Sequence, residues 1–119
     1  MGLTFKNFKV KKSREAAESS EIEFMIDSGA VYSLVQSDIL SNLGIKSYKT
    51  LDFVLADGTK ICRNVGDAYF EYAGEGGAAP VIFGEDGDQP LLGVTALESI
   101  GLVYNPYKRE LYPMRMLMM

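Results

Sequence analysis

Apolar and polar residues alternate over several short stretches of this chain, as they do in β-strands that turn one face toward the core. One stretch, EIEFMI at 21–26, is apolar enough to predict a strand buried on at least one face. The predicted strands cover 3–10, 21–26, 65–72, 80–83 and the region around 110–112. In contrast, residues 11–20 read KKSREAAESS and predict a solvated connecting loop.

Glycine-containing turns separate these strand-like segments. Asp57-Gly58 lies between two apolar runs, 53–56 and 59–62, and two residues of this type predict a tight β-hairpin. Residues 74–77 predict another turn. The acidic residues at 85–88 offer too few ligands for a calcium loop and predict a solvated turn. Together the strand and turn signals predict an all-β fold.

Two short helices interrupt the strands. Ser37 is the predicted N-cap of the first, and Gly44 follows its last turn. The second begins near residue 94, where Thr95 and Glu98 have the spacing of a capping box, and Gly101 ends it. The expected architecture is therefore mainly β with two short helices.

The composition fits one domain spanning residues 1–119. Of its 119 residues, 47% are hydrophobic and 24% are charged, and the formal net charge is -4. A chain of this length buries roughly two-thirds of its unfolded surface around one core. The negative charge argues against nucleic acid as a partner. No apolar run approaches the roughly 18 residues that a membrane helix needs, and no signal peptide is evident, so we expect no membrane partner and a cytoplasmic location.

Missing residue types exclude several chemistries. The sequence has no histidine, which rules out Ser-His-Asp and Cys-His catalysis and the common histidine-ligated zinc and haem sites. Its single cysteine, Cys62, can form neither an intramolecular disulfide nor an all-cysteine metal cluster, and we expect a small buried or strand-end residue there. We expect no cofactor and no bound metal. Carboxylates, hydroxyls and water remain available for chemistry.

The motif Asp-Ser-Gly-Ala at 27–30 is the strongest candidate site. It follows the apolar strand at 21–26 and precedes the first helix. Two interpretations are open at this point. Asp27 is a catalytic carboxylate, or it is a local turn residue that caps backbone amides while Gly29 supplies a left-handed φ.

Three segments together resemble the retropepsin-like aspartic peptidases, the group that contains the retroviral proteases and small stand-alone prokaryotic members. The segments are FMIDSGA at 24–30, the Asp57-Gly58 hairpin, and Leu-Leu-Gly at 91–93 followed by a helix. The resemblance covers about residues 21–112. It implies a closed β-barrel of the acid-protease type that hydrolyses peptide bonds in an extended peptide or protein substrate.

The resemblance also implies a role for each site residue. Asp27 is the catalytic residue, and two aspartates in contact share one proton because both cannot ionise. Since the motif occurs once, the pair requires a homodimer in which each chain gives one Asp27. The other implied residues are active-site support from Ser28, Gly29 and Ala30, a substrate-binding flap at Ala56, Asp57, Gly58 and Thr59, and a second-half turn at Leu92 and Gly93. Strand ends and the tail at 114–119 are candidates for the dimer interface.

Other functions remain open from the sequence. A catalytically silent dimeric module that binds or scaffolds peptides would keep the same fold and the same Asp27. A monomeric β-barrel would use Asp27 only as a turn residue. Metal-dependent hydrolysis built on carboxylates is the weakest of these, because no Asp/Glu cluster has convincing ligand spacing.

Overall fold

Strands dominate the structure, and two short helices join them. The computed structural model describes residues 3–115, and within that range the chain forms nine strands and two helices. The strands are β1 (Phe5–Lys11), β2 (Ser20–Ile26), β3 (Ser33–Gln36), β4 (Lys49–Val54), β5 (Lys60–Tyr72), β6 (Glu75–Gly84), β7 (Leu91–Leu92), β8 (Leu102–Asn105) and β9 (Glu110–Pro113). The helices are α1 (Ser37–Asn42) and α2 (Val94–Ile100). The prediction of a mainly β fold with two short helices is confirmed.

Seven of these strands form one sheet in the order β1-β2-β7-β3-β6-β5-β4, and β8 and β9 form a separate hairpin. Strand β1 also pairs with β5. The two-residue strand β7 lies between β2 and β3, although these two are consecutive in the chain. It runs parallel to β2, where Ile26 pairs with Leu92, and antiparallel to β3. The segment after residue 90 is therefore inserted beside the end of β2.

Aromatic residues from β1, β2 and β5 form the centre of the core. The Phe8 and Phe24 rings pack edge to face with centroids 5.9 Å apart, and Phe24 meets Phe70 at 6.1 Å. On β1 the buried face carries Phe8 and Val10, so Phe5 lies on the opposite, exposed face. The alternation along this strand thus places Phe5, its first apolar residue, at the surface.

The loop of the β4–β5 hairpin is longer than predicted. Leu55 N–H donates to the Thr59 carbonyl at 2.8 Å, and Gly58 N–H donates to the Leu55 carbonyl at 2.9 Å. Of the five residues between β4 and β5, Leu55 and Thr59 are therefore hydrogen-bonded to each other and residues 56–58 form a three-residue loop, so the two-residue turn was wrong. Gly58 has a φ of +86°, as the bulge residue of a three-residue hairpin requires.

Strand β5 is also longer than the pattern indicated. It runs without interruption from Lys60 to Tyr72, whereas the sequence suggested two separate strands at 59–62 and 65–72. The predicted turn at 74–77 shrinks to the two residues between β5 and β6. Pairing explains why β5 is continuous, because β4 pairs with its residues 60–65 and β6 pairs with its residues 65–72.

Both helix ends were predicted well and α2 begins at Val94 as expected, but the N-caps predicted for both helices were wrong. Gly44 and Gly101 have φ values of +83° and +88°, the left-handed conformation that ends a helix. However, Ser37 lies inside α1, and the N-cap is Gln36, the last residue of β3. The capping box at α2 is absent, since its N-cap is Gly93 and no side chain caps the helix.

The structure also bears on the predictions for the cysteine, for membrane-spanning helices and for the C-terminal tail. Cys62 is exposed near the start of β5, opposite Asp52 of β4, so of the two positions expected for it the buried one was wrong. Within residues 3–115, no helix is long and apolar enough to cross a membrane. Of the tail at 114–119, residues 116–119 lie outside the described part of the chain.

Candidate active site

Asp27 lies where β2 ends, beside the inserted strand β7. Its N–H donates to the Leu92 carbonyl at 3.1 Å, which continues the parallel pairing of Ile26 with Leu92 by one residue. Asp27 is half-buried, and the two residues after it, Ser28 and Gly29, are exposed. The backbone of Asp27 is therefore fixed by the sheet while the turn after it lies at the surface.

Hydrogen bonds within the turn orient the Asp27 carboxylate. Gly29 N–H donates to Asp27 Oδ1 at 2.9 Å, and Ala30 N–H donates to the Asp27 carbonyl at 3.1 Å. These are the bonds of a local turn residue, so that feature of the turn interpretation is present. The expected left-handed φ at Gly29 is absent, however, and a Cβ there would meet only Asp27 Oδ1, at 3.3 Å. Glycine is thus not required at this position by the backbone of a single chain.

The second-half turn packs directly against this loop. Gly93 N–H donates to the Ser33 hydroxyl at 2.9 Å, and Ser33 is fully buried. A Cβ at Gly93 would lie 2.7 Å from the Tyr32 carbonyl carbon and oxygen and 2.9 Å from the Ala30 oxygen. Only glycine allows so close an approach of two backbone segments.

The same loop also caps α2. Val94 N–H donates to the Ala30 carbonyl at 2.8 Å, and Thr95 N–H donates to the Val31 carbonyl at 3.2 Å. Because loop carbonyls already satisfy these first helical amides, a side-chain capping box is unnecessary. The Asp27 loop, β7 and α2 are therefore held together as one unit.

The candidate flap residues form the tip of the β4–β5 hairpin. Ala56, Asp57, Gly58 and Thr59 are all exposed, and the hydrogen bonds described for them stay within the hairpin. Thr59 N–H donates to Asp57 Oδ1 at 2.8 Å, and hydrogen bonding from the Thr59 side chain, followed by this backbone bond, holds the pKa of Asp57 below its usual value. The tip is thus a well-formed turn that projects away from the core.

The structure brings some predicted site residues together and leaves others apart. The motif at 27–30 and the pair Leu92-Gly93 are in direct contact, while the hydrogen bonds described for the tip at 56–59 stay within the β4–β5 hairpin. Sequence reasoning missed Ser33, although its buried position two residues before buried Val35 is a signal that strand alternation could have supplied. It also missed Asp88, which lies in the segment predicted to be a solvated turn.

Asp88 is in fact half-buried and bonded to three parts of the chain. Arg63 Nε donates to its Oδ2 at 3.0 Å, and Glu85 N–H donates to the same oxygen at 2.8 Å. Gln36 Nε2 donates to the Asp88 carbonyl at 2.6 Å. The acidic turn is therefore an ordered link between β3, β5 and β7.

Comparison with known proteins assigns no family. No protein-family model matches the chain, and no curated protein sequence matches it significantly. Within residues 3–115, no group of three or more histidine, cysteine, aspartate or glutamate side chains is arranged to hold a metal ion. The function must therefore be argued from the site alone.

Proposed function

We propose that this protein is an aspartic endopeptidase that hydrolyses peptide bonds with water activated by an Asp27 pair at the two-fold axis of a homodimer. The observation that carries the proposal is the placement of Asp27. Its backbone is fixed beside Leu92 in the sheet, its carboxylate is oriented by Gly29, and the turn that bears it lies at the surface. A second copy can approach a carboxylate placed in this way.

The single motif makes the dimer necessary for this chemistry. Two carboxylates about 3 Å apart share one proton, so one is ionised and the other is protonated at the same pH. One chain supplies only one Asp-Ser-Gly, and a two-fold axis supplies the second. Gly29 is compatible with this arrangement, because a Cβ there would press on Asp27 Oδ1 at 3.3 Å and disturb the carboxylate that the pair needs.

Exposed apolar residues near Asp27 also favour a second copy of the chain as the partner. Val31, four residues after Asp27, is 62% exposed. Ile26 N–H donates to the Thr4 carbonyl, which places Leu3 beside the end of β2, and Leu3 is 66% exposed. A partner that approaches Asp27 would cover exposed apolar side chains on both of these adjoining segments. We propose that these residues line the dimer interface.

The sheet supports a closed barrel as the scaffold for this site. Strand β1 pairs with β2 on one side and with β5 on the other, through Lys9–Glu71, Val10–Phe70 and Lys11–Tyr69. Following the sheet order from β1 through β2, β7, β3, β6 and β5 therefore returns to β1. We propose that these six strands form the closed barrel, with β4 as an extension that carries the hairpin.

The proposed reaction needs no covalent intermediate. The ionised Asp27 accepts a proton from water as the oxygen attacks the substrate carbonyl, and the protonated Asp27 of the partner donates its proton to the carbonyl oxygen. The tetrahedral diol then collapses: a carboxyl proton passes to the amide nitrogen, a hydroxyl proton returns to a carboxylate, and the C–N bond breaks. The pair ends with one shared proton, as it began. The hairpin tip at 56–59 is proposed to cover the substrate and pair with its backbone.

The direct test is cleavage of an unstructured peptide mixture between about pH 3 and 7, the range in which a carboxylate pair can share one proton. We expect internal cuts in the peptides and a sedimentation mass of twice the chain mass of 13.1 kDa. A folded dimer that cuts nothing at any pH would favour a silent peptide-binding module instead. A monomer at working concentration would overturn the shared site.

The interface is tested by placing a charge on it. Val31→Asp is expected to weaken the dimer at least about tenfold, because two buried carboxylates would face each other across the axis. The matched control is Val54→Asp on the hairpin, where the native side chain is 67% exposed and lies outside the proposed interface. Sedimentation over a concentration series measures both. Equal dimerisation of the two variants would contradict the placement of the interface.

A further inference from the structure

An ion pair joins the β4–β5 hairpin to the segment that leads into β7. The Arg63 guanidinium lies along the Asp88 carboxylate, with Nε 3.0 Å from Oδ2 and Nη2 3.4 Å from Oδ1. Arg63 Nη1 is also 3.5 Å from Glu85 Oε2. The side chains of Arg63 and Asp88 are only 14% and 22% exposed. A fork-shaped pair shielded from water in this way is stronger than an ordinary surface ion pair.

Arg63 lies where the hairpin leaves the rest of the sheet. Val65 is the first residue of β5 that pairs with β6, and residues 60–64 of that strand pair with β4 alone. The outer hairpin is therefore a two-stranded ribbon, which has little stability by itself. Arg63 reaches from the root of this ribbon to Asp88.

Asp88, at the other end of the pair, lies in the segment that leads to the backbone support of Asp27. Gln36 holds the Asp88 carbonyl, and two residues later the Pro90 carbonyl accepts the Met25 N–H at 3.1 Å. From there the chain enters β7 and reaches Leu92, which holds the Asp27 backbone. The pair thus connects the base of the proposed flap to the segment that supports the candidate catalytic residue.

We propose that Arg63 and Asp88 are positioning residues that fix the angle of the β4–β5 hairpin relative to the 85–90 segment, and so hold the proposed flap in a fixed orientation on the segment that leads to β7. The catalytic consequence rests on the proposed function, whereas the effect on the hairpin does not. Neither residue contacts the reacting atoms. Breaking the pair removes the tie between the hairpin and the 85–90 segment while leaving the hydrogen bonds of Asp27 and its turn intact.

Acid breaks the same tie in the unmodified protein. The hydrogen bond from Arg63 holds the pKa of Asp88 below its usual value. A lowered pKa in the folded state means that this stabilisation is present above the ordinary carboxyl range and is lost as the pH falls through the lowered pKa. The titratable groups that face Arg63 are Asp88, Glu85 and Cys62. Of these, Asp88 makes the forked contact.

The test measures the motion of the hairpin by ¹⁵N NMR relaxation in the wild type, Arg63→Gln and Asp88→Asn. We expect rigid order parameters near 0.85 at 53–61 in the wild type and values below about 0.6 in both variants. Thr50→Val is the matched control, because it removes the 2.9 Å bond from Thr50 to Asn64 inside the same ribbon and leaves Arg63 in place. Unchanged order parameters in both Arg63→Gln and Asp88→Asn, or a mobile hairpin in the wild type, would overturn the proposal.

Two further measurements distinguish loss of the ion pair from misfolding of a variant and from failure of the proposed function. Lowering the pH is expected to mobilise the hairpin as Asp88 protonates, both in the wild type and in Asp57→Asn, which removes titration at the tip. If peptides are cleaved, Arg63→Gln is expected to raise KM at least about fivefold with kcat nearly unchanged, since the loose hairpin must be ordered on binding. A chain that cleaves nothing overturns the proposed function only, because the relaxation data still decide whether the pair holds the hairpin.

Discussion

Replacing Asp27 with asparagine is expected to abolish peptide cleavage without unfolding the chain. Asparagine keeps the Oδ1 acceptor that binds Gly29 N–H at 2.9 Å, and it is nearly the same size as aspartate. It can neither accept a proton from water nor donate one to the substrate carbonyl. Each of these transfers contributes roughly 10²–10⁴-fold to the rate, so losing both should reduce kcat below detection.

The control for this variant is Asp38→Asn, which changes the same functional group on exposed Asp38 in the first turn of α1. Its cleavage rate should match that of the wild type. Circular dichroism and sedimentation should show the same fold and the same mass for all three proteins. Cleavage by Asp27→Asn at the wild-type rate would contradict the catalytic role of Asp27.

Mixing the two kinds of chain tests whether the site is shared. When Asp27→Asn chains are added in ninefold excess and subunits exchange, only about one wild-type chain in ten finds a wild-type partner. We expect the cleavage rate to fall to roughly a tenth at constant wild-type concentration. A site complete within one chain would keep its full rate. This experiment therefore separates the dimeric mechanism from every mechanism in which one chain is sufficient.

Local signals in the sequence predicted the elements around the site. The apolar run before Asp27 gave the correct strand, because alternation and apolar runs report burial directly. Gly44 and Gly101 gave correct helix ends, since a left-handed φ is a property of one residue and glycine adopts it without steric cost. The hairpin was located for the same reason, although its loop length was wrong by one residue.

Contacts between distant residues could not be predicted in the same way. The bond from Gly93 to Ser33 joins residues 60 positions apart, and the pair of Arg63 with Asp88 joins residues 25 apart. Nothing in either local segment signals its partner, because such pairs form only once the sheet has been assembled. The capping box predicted at Thr95 is absent for the same reason, since carbonyls of the Asp27 loop accept the hydrogen bonds of the first amides of α2 in place of capping side chains.

The second large effect is expected at Gly93, where the Asp27 loop and β7 meet. A Cβ in Gly93→Ala would lie 2.7 Å from backbone atoms of Tyr32 and 2.9 Å from the Ala30 oxygen. These atoms cannot move freely, because Ala30 accepts the bond from Val94 and Ser33 holds Gly93 itself. The substitution should therefore break at least one of these bonds and displace the loop that carries Asp27.

We expect Gly93→Ala to lower the free energy of unfolding by more than about 3 kcal/mol, beyond the usual range for overpacking. The matched control is Gly58→Ala, which has open space around it but a φ of +86°. Left-handed backbone alone costs about 1–2 kcal/mol, so this variant calibrates backbone strain without steric overlap. Gly93 has an ordinary φ of -92°, so the whole effect of Gly93→Ala comes from crowding.

Urea unfolding of both variants measures the difference between their free energies of unfolding. A loss at Gly93→Ala no larger than that at Gly58→Ala would mean that the Asp27 loop yields easily, and a loop that yields cannot hold a catalytic carboxylate in fixed geometry.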